Sequence, residues 1–394
     1  MSAANRYILV LLATASTVLS VVLALNLALG TRGFGSAEIT QAASKWQETT
    51  KGVTYAPPVV SMRRFKILRL QDRLPGINAM MFGSSTVMGV TETMFPAPLK
   101  TYNFTLTANP TNALIAEAEF VLDHHGDRVK WMMLSLDWMI GMIYRAAPVE
   151  PVELSPEAAL RAGAVAPAPL GSRLADALAL PKVTSLFKSL RGIAGSPDPI
   201  GGFRGLFVDL GGPEYPCAEG GVARDFDVVN RGLCAGFRYD GSWTFGGEQR
   251  LTPARADTLA RAAAAPSSKF SRFLCETGGE PKPAYLERLT ALSRRLEGQL
   301  LLYIPPLIPG MEEEMVKVPA SKTCLARTKS VLDAWARKAG VTILDGGRSE
   351  AYGCVPGDFL DEHHAFPECH TKVFARYWSD RQAGRVTSGL YPPQ

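Results

Sequence analysis

Two short stretches of this 394-residue chain carry residue types that fit nucleophilic catalysis. The first is Phe82-Gly83-Ser84-Ser85-Thr86-Val87-Met88-Gly89, directly after the apolar run Ile77–Phe82. Gly83 permits a sharp turn from strand to helix, and a serine there is exposed at the carboxyl edge of a sheet, where α/β folds place their sites. A helix starting at that serine would offer free N–H groups and a dipole to an alkoxide or oxyanion. Read alone, Gly-Ser-Ser is a common turn. The second stretch is Phe359-Leu360-Asp361-Glu362-His363-His364-Ala365-Phe366-Pro367. A serine nucleophile needs a base, and an imidazole needs a carboxylate to fix its tautomer and stabilise its charged form. Asp361 and His364, three apart in one loop, supply both. His363 is the competitor, and its spacing of two from Asp361 should point its side chain elsewhere.

The histidines number 5 and fall in two clusters, His124-His125 and His363-His364-His370. Asp361, Glu362 and Glu368 lie near the second, yet none of the familiar zinc-ligand spacings appears. No metal and no cofactor is expected. Trp131, Met132 and Met133 read as core, and Glu312-Glu313-Glu314 as a solvated loop face. Asp240-Gly241-Ser242-Trp243 is a turn signal first and a substrate-binding segment second.

The elements that must position these residues follow a β/α rhythm. Ile77–Phe82, Thr101–Leu106, Val129–Leu136, Leu300–Ile304 and Val341–Leu344 are apolar runs of strand length. Helical patterns at Ala113–His124, Tyr285–Leu296 and Lys329–Ala339 alternate with them. Apolar strands alternating with helices specify an α/β fold whose parallel sheet is covered on both faces. Between the third and fourth strands lies a long insertion at about residues 145–270, partly Pro/Ala-rich, partly helical (Ser172–Ile193) and partly Gly-rich (Gly201–Gly247). It enters beyond a strand's carboxyl end, so it is expected either to control access to Ser85, with Trp243 among its stacking surfaces, or to act as a structural cap that buries the sheet edge.

Composition bounds the function. Hydrophobic residues make up 46% and aromatic residues 9%, which excludes disorder. The 42 Lys+Arg against 37 Asp+Glu give +5 with no long basic run, so nucleic acid is not an implied partner. Tyr7–Leu29 carries no charge and as a helix reaches about 35 Å, enough to cross a bilayer. A cleaved signal peptide is the competing reading, but signal h-regions run only about 7–15 residues. Charge sets the orientation poorly, because Arg6 opposes Arg32 and Lys45. The 6 cysteines all lie beyond the span, and none is in a CxxC pair. They point to an oxidising compartment, against the alternative of buried thiols. Sequence order favours Cys217–Cys234, Cys275–Cys324 and Cys354–Cys369. The expected organisation is a cytoplasmic tail (1–6), an anchor (7–29), a membrane-proximal stalk (30–76) and one catalytic domain (77–394).

A Gly-x-Ser turn after the first strand together with Asp-x-x-His near the C-terminus resembles the SGNH (GDSL-like) hydrolase superfamily. The narrower resemblance is to its membrane-anchored bacterial branch, with a Gly-Ser-Ser-x-x-x-Gly first block, whose cousins include alginate-type O-acetylation proteins and DltD-like proteins. It runs from about Ala79 to Tyr377 and includes Tyr102-Asn103-Phe104, Leu136-Asp137, Tyr239–Trp243 and Tyr303-Ile304-Pro305-Pro306. The resemblance implies a flavodoxin-like three-layer sandwich, with Ser85 as nucleophile, His364 as base and Asp361 as its orienting carboxylate. Ser84 stands where the wider superfamily has the Asp of Gly-Asp-Ser. The second-block glycine falls at Ala108, whose backbone N–H alone could serve the oxyanion. The third-block asparagine falls at Asp137, and an ionised Asp accepts hydrogen bonds without donating. Either Asp137 is structural, or Asn109 or Asn112 supplies the donor. One lost donor typically costs about 2.7–4 kcal/mol of transition-state stabilisation.

The resemblance further implies a serine esterase or O-acyltransferase in the periplasm, anchored in the inner membrane and acting on an acylated glycan or a small acyl ester. A membrane-bound acyltransferase is the implied partner. The alternative is a weakly active or inactive binding protein of a cell-envelope polysaccharide assembly, which the Asp137 substitution favours and the intact Ser85/Asp361/His364 set disfavours.

Overall fold

The computed structural model describes residues 3–30, 37–55, 59–136, 154–155, 214–217, 221–226, 234–245, 249–276 and 278–391, with a few more between 187 and 200. In chain order the first elements are α1 (Ala3–Gly30), α2 (Ala37–Thr50), β1 (Val53–Tyr55) and α3 (Val59–Arg73). Then come β2 (Ala79–Gly83), β3 (Thr101–Thr105), α4 (Thr111–His125) and β4 (Trp131–Ser135). The short strands β5 (Glu214–Pro216) and β6 (Val222–Asp225) precede α5 (Pro253–Ala264), α6 (Lys269–Cys275) and α7 (Pro283–Arg295). The chain closes with β7 (Leu300–Ile304), α8 (Met311–Val316), α9 (Pro319–Ala339), β8 (Thr342–Asp345), α10 (Pro367–Gln382) and β9 (Gly389–Tyr391).

These elements group into two compact units, residues 1–68 with 156–236, and residues 69–155 with 237–394. In the first, Ala4–Leu25 of α1 has a mean hydropathy of 2.6 and is long and apolar enough to cross a membrane. Behind it, Val53–Tyr55 pairs in parallel with Ala223–Asp225, and β5 adds antiparallel to β6. Residues expected as stalk and residues expected as insertion thus share one small sheet. The Trp46 indole donates to Glu214 at 2.7 Å, and Cys217 is bonded to Cys234. Most of the helix expected at Ser172–Ile193 and most of the Gly201–Gly247 segment lie outside the described residues, while Phe187, Leu190 and Arg191 are helical.

The second unit holds a six-stranded parallel sheet in the order β9-β8-β7-β4-β2-β3. Every residue of β2, β3, β4 and β7 is buried. Side chains alternate across a strand, so burial of every one means both faces are covered, and that is why these strands read as unbroken apolar runs. Met80, Phe82, Phe104, Met132, Leu134 and Leu302 form the centre of this core, each contributing about 1.5–3 kcal/mol by its burial. Trp131, Met132 and Met133 belong to it as expected. Glu312 does not lie on a solvated loop. It sits on α8, largely buried, and binds the Lys329 ammonium through both carboxylate oxygens at 2.7 and 2.9 Å.

The strand order fixes where a site can form. From β2 the chain passes outward to β3, and it then returns to place β4 on the other side of β2. The two directions part between β2 and β4, and a crevice opens there at the carboxyl ends. Gly83 ends β2 at that point. A Cβ on it would lie 2.6 Å from Ser135 Oγ and 2.5 Å from Val87 Cγ2, so β4 and the turn after β2 pack too closely for any larger residue.

Candidate active site

Ser84 leaves β2 in an extended conformation (φ −95°, ψ −172°), and its hydroxyl lies 2.9 Å from the Thr86 hydroxyl. The chain then makes a single 3₁₀ turn over Ser85–Val87, closed by Val87 N–H to Ser84 C=O at 3.3 Å. No α-helix begins at Ser85. A second 3₁₀ turn follows at Glu92–Met94, so the dipole expected behind the serine is absent from these described residues. Three-residue turns align too few peptide units to build one.

A buried asparagine holds this irregular loop in place. Asn103, in the middle of β3, donates its amide to the carbonyls of Val87 (3.1 Å), Met88 (3.4 Å) and Val90 (2.9 Å). Its Oδ1 accepts from the Thr105 N–H at 3.0 Å and the Thr105 hydroxyl at 2.6 Å. Three carbonyls that no helix or strand would satisfy are thereby paired, as a buried backbone requires. The turn at residues 238–242 braces the same loop from outside. Asp240 C=O accepts from Asn103 N–H at 2.8 Å, Asp240 Oδ2 accepts from Glu92 N–H at 2.7 Å, and Trp243 N–H donates to Met88 C=O at 2.7 Å. Gly241, at φ +83°, comes so close to β3 that a Cβ would lie 2.4 Å from Asn103 O.

His364 arrives on a loop closed at both ends. Phe359 and Ala365 form an antiparallel bridge, and Leu360 N–H donates to His364 C=O at 2.9 Å. Asp361 Oδ1 accepts the N–H groups of His363 and His364, both at 2.9 Å, an Asx turn that aims the carboxylate along the loop. Ile308 N–H anchors the loop by donating to Glu362 C=O at 3.1 Å. The Cys354–Cys369 disulfide frames it, with Cα atoms 5.2 Å apart. Cys275 is bonded to Cys324 in the same unit, so the three pairs are those that sequence order favoured.

Across the crevice the two stretches meet. Ser85 Oγ lies 2.8 Å from His364 Nε2, and His364 Nδ1 lies 2.7 Å from Asp361 Oδ2. Burial alone would raise the Asp361 carboxyl. The His364 hydrogen bond and charge, with His363 and its N–H, outweigh burial and hold the carboxyl well below the usual carboxylate range. The carboxylate therefore stays ionised at neutral pH, as a partner that orients and stabilises an imidazolium must. His363 does point elsewhere, with its ring against Phe270 at 5.4 Å. Burial and the neighbouring His364 push it down to about 4, and Asp361 opposes them.

The other expected residues divide. Ala108 is exposed in the β3–α4 loop at φ +53°, the left-handed conformation that favours glycine, and this loop starts where Leu106 N–H donates to Gly83 C=O at 3.0 Å. Asn109 is buried, and its amide donates to Glu117 Oε2 at 2.8 Å, so it is committed inward. Asn112 accepts from Ala113 N–H at 3.0 Å in the first turn of α4. Asp137 lies outside the described residues. Trp243 is tied to the loop after Ser85 through its backbone, and its ring meets Phe237 edge-on at 4.9 Å.

Sequence reading gave no role to Asn103 or to His370. His370, on α10, is fully buried, with Nδ1 2.9 Å from the Tyr303 hydroxyl. Burial pushes its ring down to about 3. A polar residue inside the apolar run of β3 was the available signal for Asn103, because a buried amide must find partners. No family model, no curated protein and no solved structure matches this chain.

Proposed function

We propose that this chain is a membrane-anchored serine esterase or O-acyltransferase of the SGNH type. Its globular part would face the periplasm and act on acyl, chiefly acetyl, esters of an envelope or exported glycan. One observation carries the reading: a serine, an imidazole and an ionised carboxylate hydrogen-bonded in series at 2.8 and 2.7 Å, beside the crevice of a parallel sheet. The strand order supports it, being that of a flavodoxin-like sandwich with one further strand at its edge. The apolar α1 and three disulfides support an anchored domain in an oxidising compartment.

In this mechanism Ser85 Oγ attacks the acyl carbonyl carbon as its proton passes to His364 Nε2, and Asp361 stabilises the imidazolium from Nδ1. The tetrahedral intermediate collapses when the imidazolium returns that proton to the departing alkoxide, leaving an acyl-Ser85. Water then releases the acid, or a sugar hydroxyl takes the acyl group, with His364 again the base. Transfer requires an acyl donor, and a membrane-bound acyltransferase is the partner proposed to supply it.

The test is labelling with a fluorophosphonate probe and hydrolysis of p-nitrophenyl acetate by the detergent-solubilised chain. Both should occur in the unsubstituted chain and vanish in Ser85→Ala, with the hydrolysis rate falling at least about 10³-fold. A chain that neither labels nor hydrolyses would defeat the reading. If it still bound acylated glycan, it would instead be a binding protein of the envelope.

A further inference from the structure

The loop that carries the base holds a second imidazole whose ring nitrogen has nothing to bond. His363 Nδ1 is shielded from water and makes no hydrogen bond among the described residues. A buried polar atom left unpaired costs on the order of 1–3 kcal/mol, so its placement calls for a cause. Two acidic oxygens face it without the geometry of a hydrogen bond, Asp361 Oδ1 at 3.3 Å and Glu362 Oε1 at 3.8 Å. The His364 ring lies alongside, with centroids 4.1 Å apart.

We propose that Asp361, His363 and His364 form a binding site for a divalent transition-metal ion of the zinc class, and that the bound ion switches the triad off. One donor atom from each of the three residues lies within 4.8 Å of the others. Ligands held about 2.0–2.1 Å from a tetrahedral ion stand roughly 3.4 Å apart, so the 3.3 Å between His363 Nδ1 and Asp361 Oδ1 is already a ligand–ligand distance. Two imidazoles and one carboxylate suit zinc, whereas magnesium and calcium call for oxygen ligands. The loop is pre-arranged for an ion by the Cys354–Cys369 disulfide and by the Leu360–His364 backbone hydrogen bond.

The inhibitory half rests on the serine-hydrolase reading; the metal site itself does not. In the catalytic arrangement, His364 Nδ1–H donates to Asp361 and Nε2 accepts the Ser85 proton. An ion bound to Nδ1 displaces that hydrogen, and the ring, still neutral, carries its one proton on Nε2. On Nε2 it blocks acceptance of the serine proton. The same ion neutralises the Asp361 charge that stabilised the imidazolium.

The experiment measures zinc binding to the detergent-solubilised full chain by calorimetry, and p-nitrophenyl acetate hydrolysis with and without zinc. One zinc ion should bind per chain, at least about tenfold more weakly in His363→Ala and in His363→Gln. The ratio of rates without and with zinc should be large in the unsubstituted chain, return to one on chelation, and fall toward one in both variants. Cobalt added to the unsubstituted chain gives a readout independent of any variant's folding, and intense visible bands of a tetrahedral ion are expected. Absence of zinc binding, equal binding in the His363 variants, loss of binding in a His124→Ala/His125→Ala double variant, or a weak octahedral cobalt spectrum would each overturn the site. Zinc that binds through His363 yet leaves the rate unchanged would overturn the switch. A chain with no esterase activity but with His363-dependent zinc binding would defeat the proposed activity and leave the site standing.

Discussion

Replacing Gly241 with alanine tests whether the turn at residues 238–242 holds Ser85 in place. The substitution does two separable things. It forces an L side chain into φ +83°, and it brings a Cβ to 2.4 Å from Asn103 O and 2.9 Å from a Tyr102 ring carbon. The first costs about 1–2 kcal/mol wherever it occurs. The second cannot be relieved by a rotamer, because the nearer atom is backbone. The turn must withdraw from β3, breaking the 2.8 Å bond between Asn103 N–H and Asp240 C=O. Asn103 is 2% exposed, so its orphaned N–H adds about 1–3 kcal/mol. Gly298 supplies the control: φ is +80° there, but no atom lies within 4 Å of the would-be Cβ. Chemical denaturation should therefore show Gly298→Ala costing about 1–2 kcal/mol and Gly241→Ala about 2–5 kcal/mol. Since Trp243 and Asp240 hold Met88 and Glu92, Ser85 acylation by a fluorophosphonate should also slow in Gly241→Ala under conditions where the chain is still folded, and stay unchanged in Gly298→Ala. Equal costs for the two substitutions, or full acylation rate in a destabilised Gly241→Ala, would refute the brace.

Other expectations follow from the same geometry. Asp361→Asn keeps the loop but supplies no charge to an imidazolium, so under the proposed mechanism kcat of p-nitrophenyl acetate hydrolysis should fall by about 10⁴. Replacing Cys354 and Cys369 together by alanine opens a loop whose ends are 15 residues apart, and denaturation should show a loss of about 3 kcal/mol. His370 titrates near 3 when folded and near 6.5 when unfolded, so the stability it confers is fully present above about pH 6.5 and is lost as pH falls toward 3. Between pH 7 and 4.5 the unsubstituted chain should lose roughly 2–3 kcal/mol that His370→Asn does not, and a stability gap between the two that is independent of pH would contradict the burial argument.

What could be read from the sequence depended on how local each signal was. The strands of the main sheet are buried on both faces, so Ala79–Phe82 or Leu300–Ile304 announce themselves without any knowledge of their neighbours. The two halves of the site were legible for a related reason: the sharp turn at Gly83 and the Asp-x-x-His spacing are each contained in a few residues. The 3₁₀ turn behind Ser85 was not, because the choice against an α-helix is made by Asn103, whose amide captures Val87, Met88 and Val90 carbonyls from a strand 13–16 residues away. Asp240 and Gly241, brought to the same loop from far along the chain, look in sequence like any turn. The terminal strand Gly389–Tyr391 is too short to carry a pattern, and α10 hides its buried Val373, Phe374 and Tyr377 among charged residues.

Three histidines stand within eight positions of one another, and their surroundings assign them different work. A general base must take a proton from the nucleophile and return it to a departing group that sits outside the protein. Only a ring with one nitrogen on the serine, the other on a fixed anion and part of its surface open can do both. His364 meets each condition, with Ser85 at 2.8 Å, Asp361 at 2.7 Å and a side chain 20% exposed. His370 has a hydroxyl on Nδ1 and no exposure, so its ring stays neutral and packs α10 against the loop after Ser85 at Gly89. His363 is 12% exposed and has an acidic neighbour but no hydrogen bond for Nδ1, a configuration of little use for proton transfer and well suited to an ion. Exchanging the roles would require moving the Asx turn at Asp361 by one residue. The backbone N–H groups of both His363 and His364 bind Asp361 Oδ1 at 2.9 Å and oppose that shift, so the loop's own hydrogen bonds determine which imidazole faces Ser85.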